Sequence, residues 1–447
     1  MARSKTLHTC QKCGYSTAKW MGRCPDCQEW NSFLEEVVGP RSAASSKLKV
    51  TPTPLLEVSL AGGGEIRIRT GMTELDTPLG GGLVAGSLVL IGGDPGVGKS
   101  TLLLMACDRF ASRGLPVLYV TGEESLAQIR MRADRLGVAA ESLLLLASTE
   151  WDQIEQVVRK FNPTAVIIDS VQTVAVPELD SIPGSVSQVR EVAHRAMKLA
   201  KSGTTAVILV GHITKSGNLA GPKVLEHFVD TVLYFEGDGR SQLRILRSVK
   251  NRFGAAGELG LFEMADDGLR EVPDASARLL EERQADAAGT AVIATLEGNR
   301  PILTEVQALV GRPSPAIPAR TCVGIDRNRV LMLAAVLEKA SVPLYDRDLF
   351  VNAAGGVRLT EPAADLGAIA AIYSSFTEKP IASDTLLFGE VGLVGEIRAV
   401  SHPMPRLKEA ARHGFRRVIA PRSCVADATP GLEVVGVRSV RDLLRLL

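Results

Sequence analysis

This 447-residue chain lacks charge bias, aromatic mass and long apolar runs. Its 51 basic and 50 acidic residues leave a formal net charge of +1, which excludes a globally cationic protein. Any nucleic-acid surface must therefore be local. Aromatic residues make up 4 %, against 45 % hydrophobic and 23 % charged, an ordinary balance for a soluble globular chain. No segment reaches the roughly 18 apolar residues a membrane-crossing helix needs. The opening MARSKTLHTC has no apolar stretch of the secretory type. A cytoplasmic address and no membrane partner are the expectations. Cysteine is sparse as well, with seven in all. Cys107, Cys322 and Cys424 stand alone and read as small buried hydrophobes.

At about 150 residues per domain, the length suggests two or three domains. Residues 1–38 hold the other four cysteines, and 39–65, opening with GPRSAASSKLKVTPTP, read as a linker rich in Ser, Pro and small residues. Over 66–273, short β-rich runs (SLVLIGG, PVLYVTG, TAVIIDS, TAVILVG, TVLYFEG) alternate with helical patterns. That alternation predicts an α/β domain with a mostly parallel sheet covered by helices. A charged, helix-prone stretch then leads into a second αβ-type region, 274–447. No repeat of 20 to 50 residues is apparent, which argues against a solenoid.

The grouped cysteines, Cys10, Cys13, Cys24 and Cys27, form two C-x2-C pairs separated by ten residues. Four soft thiolates satisfy the tetrahedral preference of Zn(II) and leave no open position, so a structural zinc module is expected. Metal binding supplies folding free energy that so small a core cannot. A disulfide is the weaker alternative in a reducing compartment. Tyr15, Trp20, Trp30 and Phe33 either pack around the metal or stack on bases; packing is the leading reading.

GDPGVGKS, Gly93 to Ser100, matches G-x-x-x-x-G-K-[ST] between a predicted strand and a predicted helix. Gly93, Asp94, Pro95, Gly96, Val97 and Gly98 form the phosphate-binding turn, whose glycines would let successive backbone N–H groups face phosphate, and the helix N-terminus adds positive partial charge. ATP is the expected ligand. Lys99 would bridge the β- and γ-phosphates, Ser100 would ligate Mg(II), and Thr101 is a neighbouring phosphate contact. Asp169 ends the strand AVIID, where it is a second magnesium ligand or a helix cap. In VTGEES, Glu123 is the candidate to orient or deprotonate water, with Glu124 its solvated alternate. His212 either senses the γ-phosphate or is a satisfied strand-end histidine.

SVKNRFGAAGELG closes what reads as the last core strand, with no acidic residue from Ser248 to Gly257. Residues two apart share a strand face, so Lys250 and Arg252 project together. Three readings stay open: a neighbouring subunit's γ-phosphate, with Arg252 as forked donor; a solvated surface; or a nucleic-acid backbone, supported by Arg244 and Arg247 upstream.

The four-cysteine module, TGMTELDTPLGGGLVAGSLVLIGGDPGVGKST and KNRFG together closely resemble the bacterial RadA (Sms) DNA-repair family over essentially the whole chain. ELDTPLGGGLVAGSLVLIGG is also similar to the wider RecA and KaiC group, and the Lys-x-Arg strand end to the fingers of DnaB-type ring helicases. The resemblance implies a RecA-like ATPase core, hexameric and stimulated by single-stranded DNA, driving branch migration of branched recombination intermediates beside a RecA-type recombinase. The contrasting reading is a KaiC-type regulatory assembly in which ATP only gates oligomerisation. RecA-like ATPases commonly bind single strands through loops that here are SVQTVAVPELDSIPGSVSQ and HITKSGNLAGPK; the latter carries Lys215 and Lys223 as candidate DNA contacts.

GGVRLTEPAADLGAIAAIYSSF and LLFGEVGLVGEIRAV resemble the proteolytic domain of Lon, implying an α+β C-terminal domain. Alignment puts Asp365 at the position of the nucleophilic serine, and the lysine of the dyad near Arg406 to Lys408. An ionised carboxylate is a poor substitute for the hydroxyl, and Arg cannot act as a base. No protease activity is expected, and Ser374 and Ser375 lie too far along the helix to restore it. The expected roles are ring assembly and a basic surface for DNA around EIRAVSHPMPRLKEAARHGFRR.

Overall fold

A computed structural model describes residues 5–10, 15–38, 66–212, 224–237, 243–313, 318–427 and 430–447. Cys13, the linker 39–65, Lys215 and Lys223 lie outside the described residues. The chain divides into two compact units, Met1–Glu271 and Val272–Leu447.

The first unit begins with a small antiparallel sheet of β1 (Lys5–Cys10), β2 (Ser16–Thr17) and β3 (Phe33–Val38), in the order β2-β1-β3. Next come β4 (Arg67–Ile68), the single-turn helix α1 (Thr73–Asp76) and β5 (Leu83–Val84). A nine-stranded sheet follows, built from β6 (Leu88–Gly93), β7 (Val117–Thr121), β8 (Leu143–Ala147), β9 (Ala165–Asp169), β10 (Ala206–His212), β11 (Thr231–Glu236), β12 (Leu243–Asn251), β13 (Leu259–Ala265) and β14 (Gly268–Glu271). Its order is β14-β13-β12-β11-β6-β10-β9-β7-β8. Pairings from β11 through β8 are parallel, as the βα alternation predicts, and those from β11 to β14 are antiparallel.

The helices α2 (Lys99–Ala111), α3 (Leu126–Arg135), α4 (Trp151–Phe161) and α5 (Val186–Lys201) make the parallel connections. All six residues of β6 are buried because both faces of the strand are covered. Val89 and Ile91 join one core with Leu102, Leu103 and Phe110 of α2, whereas Leu88 and Leu90 join the other with Trp151, Val189 and Val192. The two-residue period of the strand thus divides one apolar run between two cores.

One sequence expectation is corrected here. β12 is not the last core strand: GAAGELG turns the chain into β13, and β14 extends the sheet further. Glu74 of α1 secures this extension. Its carboxylate accepts the Leu261 N–H at 2.8 Å and its own N–H donates to Glu271 at 2.8 Å. Gly260 is needed beside it, since a Cβ there would lie 1.6 Å from the Glu74 carbonyl oxygen.

The second unit comprises α6 (Ala275–Leu280), β15 (Thr290–Glu297), β16 (Arg300–Pro313), β17 (Arg320–Val323), α7 (Arg327–Lys339), β18 (Arg347–Ala353), α8 (Asp365–Thr377), β19 (Thr385–Leu387), β20 (Glu390–Val391), β21 (Ile397–Arg398), α9 (Pro403–Arg412), β22 (Arg417–Pro421), β23 (Glu433–Val437) and α10 (Val440–Leu446). Its seven-stranded sheet runs β17-β18-β16-β15-β19-β22-β23 and is mixed. Helix α8 is apolar nearly all round, and Leu366, Ala368, Ile369, Ala370, Ala371 and Ile372 are fully buried, which makes it the central helix of this core. Cys107 and Cys424 are buried as expected; Cys322 is only half-buried.

Arg406 corrects a further expectation, that the Arg-rich stretch lies on the surface. It is fully buried on α9, pairs with Glu361, donates to the Ala294 carbonyl at 2.6 Å and lies over the Phe388 ring. Arg398 and Arg412, by contrast, are exposed and paired with carboxylates. Removing one member of a buried pair leaves the other without compensation. Arg406→Met should therefore destabilise the full-length protein by about 3–5 kcal/mol in denaturant unfolding; a loss near zero would refute a structural role.

Candidate nucleotide and metal sites

The strand-to-helix turn between β6 and α2 forms the floor of a cavity of about 510 Å³ in the first unit. Gly98 caps α2 with φ +110°, a conformation that L side chains rarely adopt. Gly93 is required by close approach, because a Cβ would sit 2.3 Å from the Phe235 carbonyl oxygen. Pro95, Gly96, Gly98, Lys99, Ser100 and Thr101 line the cavity, and Val97 anchors the turn in the core. Lys99 is 3 % exposed, and its Nζ donates to the Gly93 and Asp94 carbonyls, each at 2.9 Å. Burial pulls its ammonium below the usual lysine range, while Asp169, Asp94 and Glu123 act against that shift.

Asp169, Glu123 and His212 reach the same cavity from the ends of β9, β7 and β10. Parallel strands bring all three to one edge, as open α/β sheets do for their ligands. The buried Tyr119 hydroxyl donates to Asp169 Oδ2 at 2.5 Å. Ser170 Oγ donates to Glu123 Oε1 at 2.5 Å, and His212 Nε2 stands 3.6 Å from the same oxygen. Burial, then the Lys99 charge, lower the His212 pKa, so the imidazole is neutral at neutral pH; Glu123 and Asp169 oppose the shift. Glu124 is not the solvated alternate expected from sequence. Its carboxylate is paired with Arg132 of α3. Arg132 and Arg135 also line the cavity, together with Ile129. The signal for all three in the sequence is their spacing of three on a helix directly after GEES.

The pair at the end of β12 has partners. Lys250 Nζ donates to the carbonyls of Glu226 (2.6 Å) and Val229 (2.9 Å). Arg252 Nη1 lies 3.3 Å from Asp230 Oδ1, and its N–H donates to the Asp230 carbonyl at 3.1 Å. Lys201 Nζ, 2.8 Å away, and the Leu88 N–H, 3.0 Å away, hold Asp230 Oδ2. The expectation of two unpartnered cations is therefore wrong: Asp230 precedes β11, whose Thr231 pairs with Asn251 across the hairpin, and so stands beside Arg252. Arg252 nonetheless keeps more than half of its side chain exposed. Arg247 pairs with Glu236 at 3.4 Å.

In the small sheet, the sulfurs of Cys10, Cys24 and Cys27 all lie within 4.8 Å of one another. The Cys10 and Cys27 sulfurs are 3.6 Å apart, far beyond the roughly 2.05 Å of a disulfide. Cys10 and Cys24 are fully buried. Three converging thiols fit a soft tetrahedral metal such as zinc. Phe33 packs against the cysteines, with Tyr15 edge-on to it. Trp20 and Trp30 depart from the packing reading, at 58 % and 67 % exposed, with Arg23 over the Trp30 ring.

In the second unit, Asp365 opens α8 almost wholly buried. Arg329 of α7 grips both its oxygens, at 2.9 Å through Nε and more closely through Nη2, and the Val391 N–H donates at 3.0 Å. Burial raises the Asp365 carboxyl above the ordinary aspartate value, against the pull of Arg329 and that N–H. Ser374 and Ser375 accept the N–H groups of Gly289 and Val310.

Three family models match the chain: an AAA domain over residues 66–218, a rubredoxin metal-binding domain over 8–35, and the ChlI subunit of Mg-chelatase over 306–424. The DNA repair protein RadA of Halalkalibacterium halodurans is 49 % identical, covering 100 % of this chain and 99 % of its own. The protein of the same name from Pseudomonas aeruginosa is 48 % identical, with 100 % of both chains covered. Among solved structures, a KaiC-like protein from Pyrococcus horikoshii is 22 % identical, covers 47 % of this chain and 100 % of its own, and gives a TM-score of 0.40. A zinc-binding ribbon, a RecA-like nucleotide-binding core and near-half identity along its entire length place this chain in the family of the DNA repair protein RadA.

Proposed function

We propose that this chain is a DNA-dependent ATPase of recombination and repair, which drives branch migration on single-stranded and branched DNA beside a RecA-type recombinase. The observation carrying this reading is the convergence of Lys99, Glu123, Asp169 and His212 on one cavity of about 510 Å³ at the edge of the parallel sheet. The names of the relatives supply the repair setting.

In this reading the turn N–H groups, Lys99 and Thr101 hold the phosphates of ATP. Ser100 and Asp169 offer hard oxygens suited to Mg(II), whose charge would offset that developing on the phosphates. Tyr119 fixes the orientation of Asp169. Glu123 orients the attacking water and takes its proton, and the neutral His212 beside it reports on the terminal phosphate. The protein acts in the cytoplasm as a homohexameric ring, with Lys215 and Lys223 as DNA contacts. Lys250 and Arg252 reach the nucleotide of the adjacent protomer, their local partners Glu226, Val229 and Asp230 holding the strand end in place until then. The C-terminal unit serves assembly rather than proteolysis, a reading supported by the Arg329 grip on Asp365 and the Glu361 pairing of Arg406.

Single-stranded DNA should raise ATP turnover of the full-length protein, and Lys99→Ala should abolish it; turnover indifferent to DNA of every length would refute the motor. Arg252→Ala should cost about 10³-fold or more, as loss of an arginine finger does. Mixing inactive Lys99→Ala chains with inactive Arg252→Ala chains should restore part of the turnover, because some boundaries then hold both groups. Turnover absent from every mixture would count against action in trans. Cys24→Ser should lower bound zinc from one ion per chain toward none by elemental analysis, and retention of a full equivalent would defeat the assignment.

A further inference from the structure

Arg132 and Glu124 form an ion pair at the wall of the nucleotide cavity that is only half made. Arg132 Nη2 donates to Glu124 Oε1, while Arg132 Nη1 and Glu124 Oε2 are both buried without a hydrogen-bonding partner. A guanidinium and a carboxylate can make two parallel hydrogen bonds. With only one made, an N–H and a carboxylate oxygen remain desolvated and uncompensated.

The backbone around it, in contrast, is fixed. Thr121 Oγ1 accepts the Glu124 N–H at 3.0 Å and donates to the Glu124 carbonyl at 2.9 Å. Ser125 and Gln128 then close a reciprocal capping box at the start of α3. With the backbone of residues 121–128 held in this way and Arg132 carried on α3, the side chains of Glu124 and Arg132 can rearrange without moving the chain. Both line the cavity that also contains Lys99, Ser100 and Asp169. They stand on its carboxylate side, since Glu124 directly follows Glu123, whose oxygen is tied to Ser170 next to Asp169.

We propose that this pair is a latch that reads the terminal phosphate: Arg132 leaves Glu124 for the γ-phosphate of a nucleoside triphosphate bound in its own protomer, and Glu124 is thereby released toward the attacking water. The inference rests on the reading of this cavity as an ATP site. A ligand shifts such an equilibrium only as far as it binds the two arrangements differently. ATP does so because its outermost phosphoryl group supplies the acceptors that Nη1 lacks. ADP, without that group, leaves the latch closed. Arg132 is then a positioning and discrimination residue acting in cis, complementary to the trans role given to Arg252.

Equilibrium titration of the full-length protein with ADP and with a non-hydrolysable ATP analogue separates this role from a structural one. Arg132→Ala should weaken the analogue about tenfold or more, the scale of one lost hydrogen bond between charged groups, and leave ADP affinity within about twofold of wild type. Arg132→Lys keeps the charge but not the planar fork, and should show an intermediate loss. Glu124→Gln weakens the competing partner, so analogue binding should tighten while kcat falls. Equal weakening of both nucleotides by the two Arg132 variants, an unchanged analogue-to-ADP ratio, or weaker analogue binding by Glu124→Gln would overturn the latch. Wild-type protein and Lys99→Ala are run alongside. Should wild type bind neither nucleotide, or Lys99→Ala bind both as tightly as wild type, the ATP site itself is refuted, a result distinct from failure of the latch.

Discussion

The buried ammonium of Lys99 is the interaction on which the N-terminal unit turns. A cation removed from water needs acceptors on every donor, and here it has two carbonyls of its own turn with three carboxylates nearby. Those groups come together only if the turn is glycine-rich, β6 is central, and β7, β9 and β10 run parallel so that their acidic and imidazole ends emerge on one edge. Sheet topology and phosphate chemistry are thus one constraint. The apolar strands exist to aim their polar last residues.

A second, smaller constraint acts at Asp230. Only 4 % exposed, it accepts from Lys201 of α5 and the first N–H of β6 and pairs with Arg252 after β12. Against the effect of burial, Lys201, the Leu88 N–H and then Arg252 hold its carboxyl below the ordinary aspartate range. One carboxylate therefore links the central strand, a covering helix and the tip bearing the cationic pair. Lys250 is held separately by carbonyls, its ammonium pulled below the usual range by burial and by its neighbour Arg252.

Much of this was legible in the sequence where function is encoded by spacing along the chain. The P-loop, the C-x2-C pairs and the alternation of strands and helices depend on neighbours in sequence, and the fold class followed from them. What escaped depends on neighbours in space. β8, LLLLA, offers no alternation to separate strand from helix. Asp230 lies 22 residues before Arg252 and meets it only through the β11–β12 register. Arg132 looks like any solvated helix arginine until α3 is laid against the cavity. Trp20 and Trp30 suggested packing because a small module needs apolar mass, yet Phe33 and the cysteines meet that need and leave both rings outside.

The C-terminal unit carries the same logic in reverse. At the position where the resemblance to a protease aligns a nucleophile stands Asp365, and the lysine of the dyad falls near Arg406 to Lys408; Asp365 and Arg406 are each matched by an opposite charge, Arg329 and Glu361. A catalytic dyad works because its members are left incompletely satisfied until substrate arrives. These pairs are tightly bonded and largely buried, with further N–H and carbonyl partners on both. Arg406 in particular bonds the β15 carbonyl of Ala294 and the Ser401 carbonyl, tying α9 to the sheet. Replacing Asp365 or Arg406 alone would leave a charged partner without compensation, which couples each position to its own ion pair.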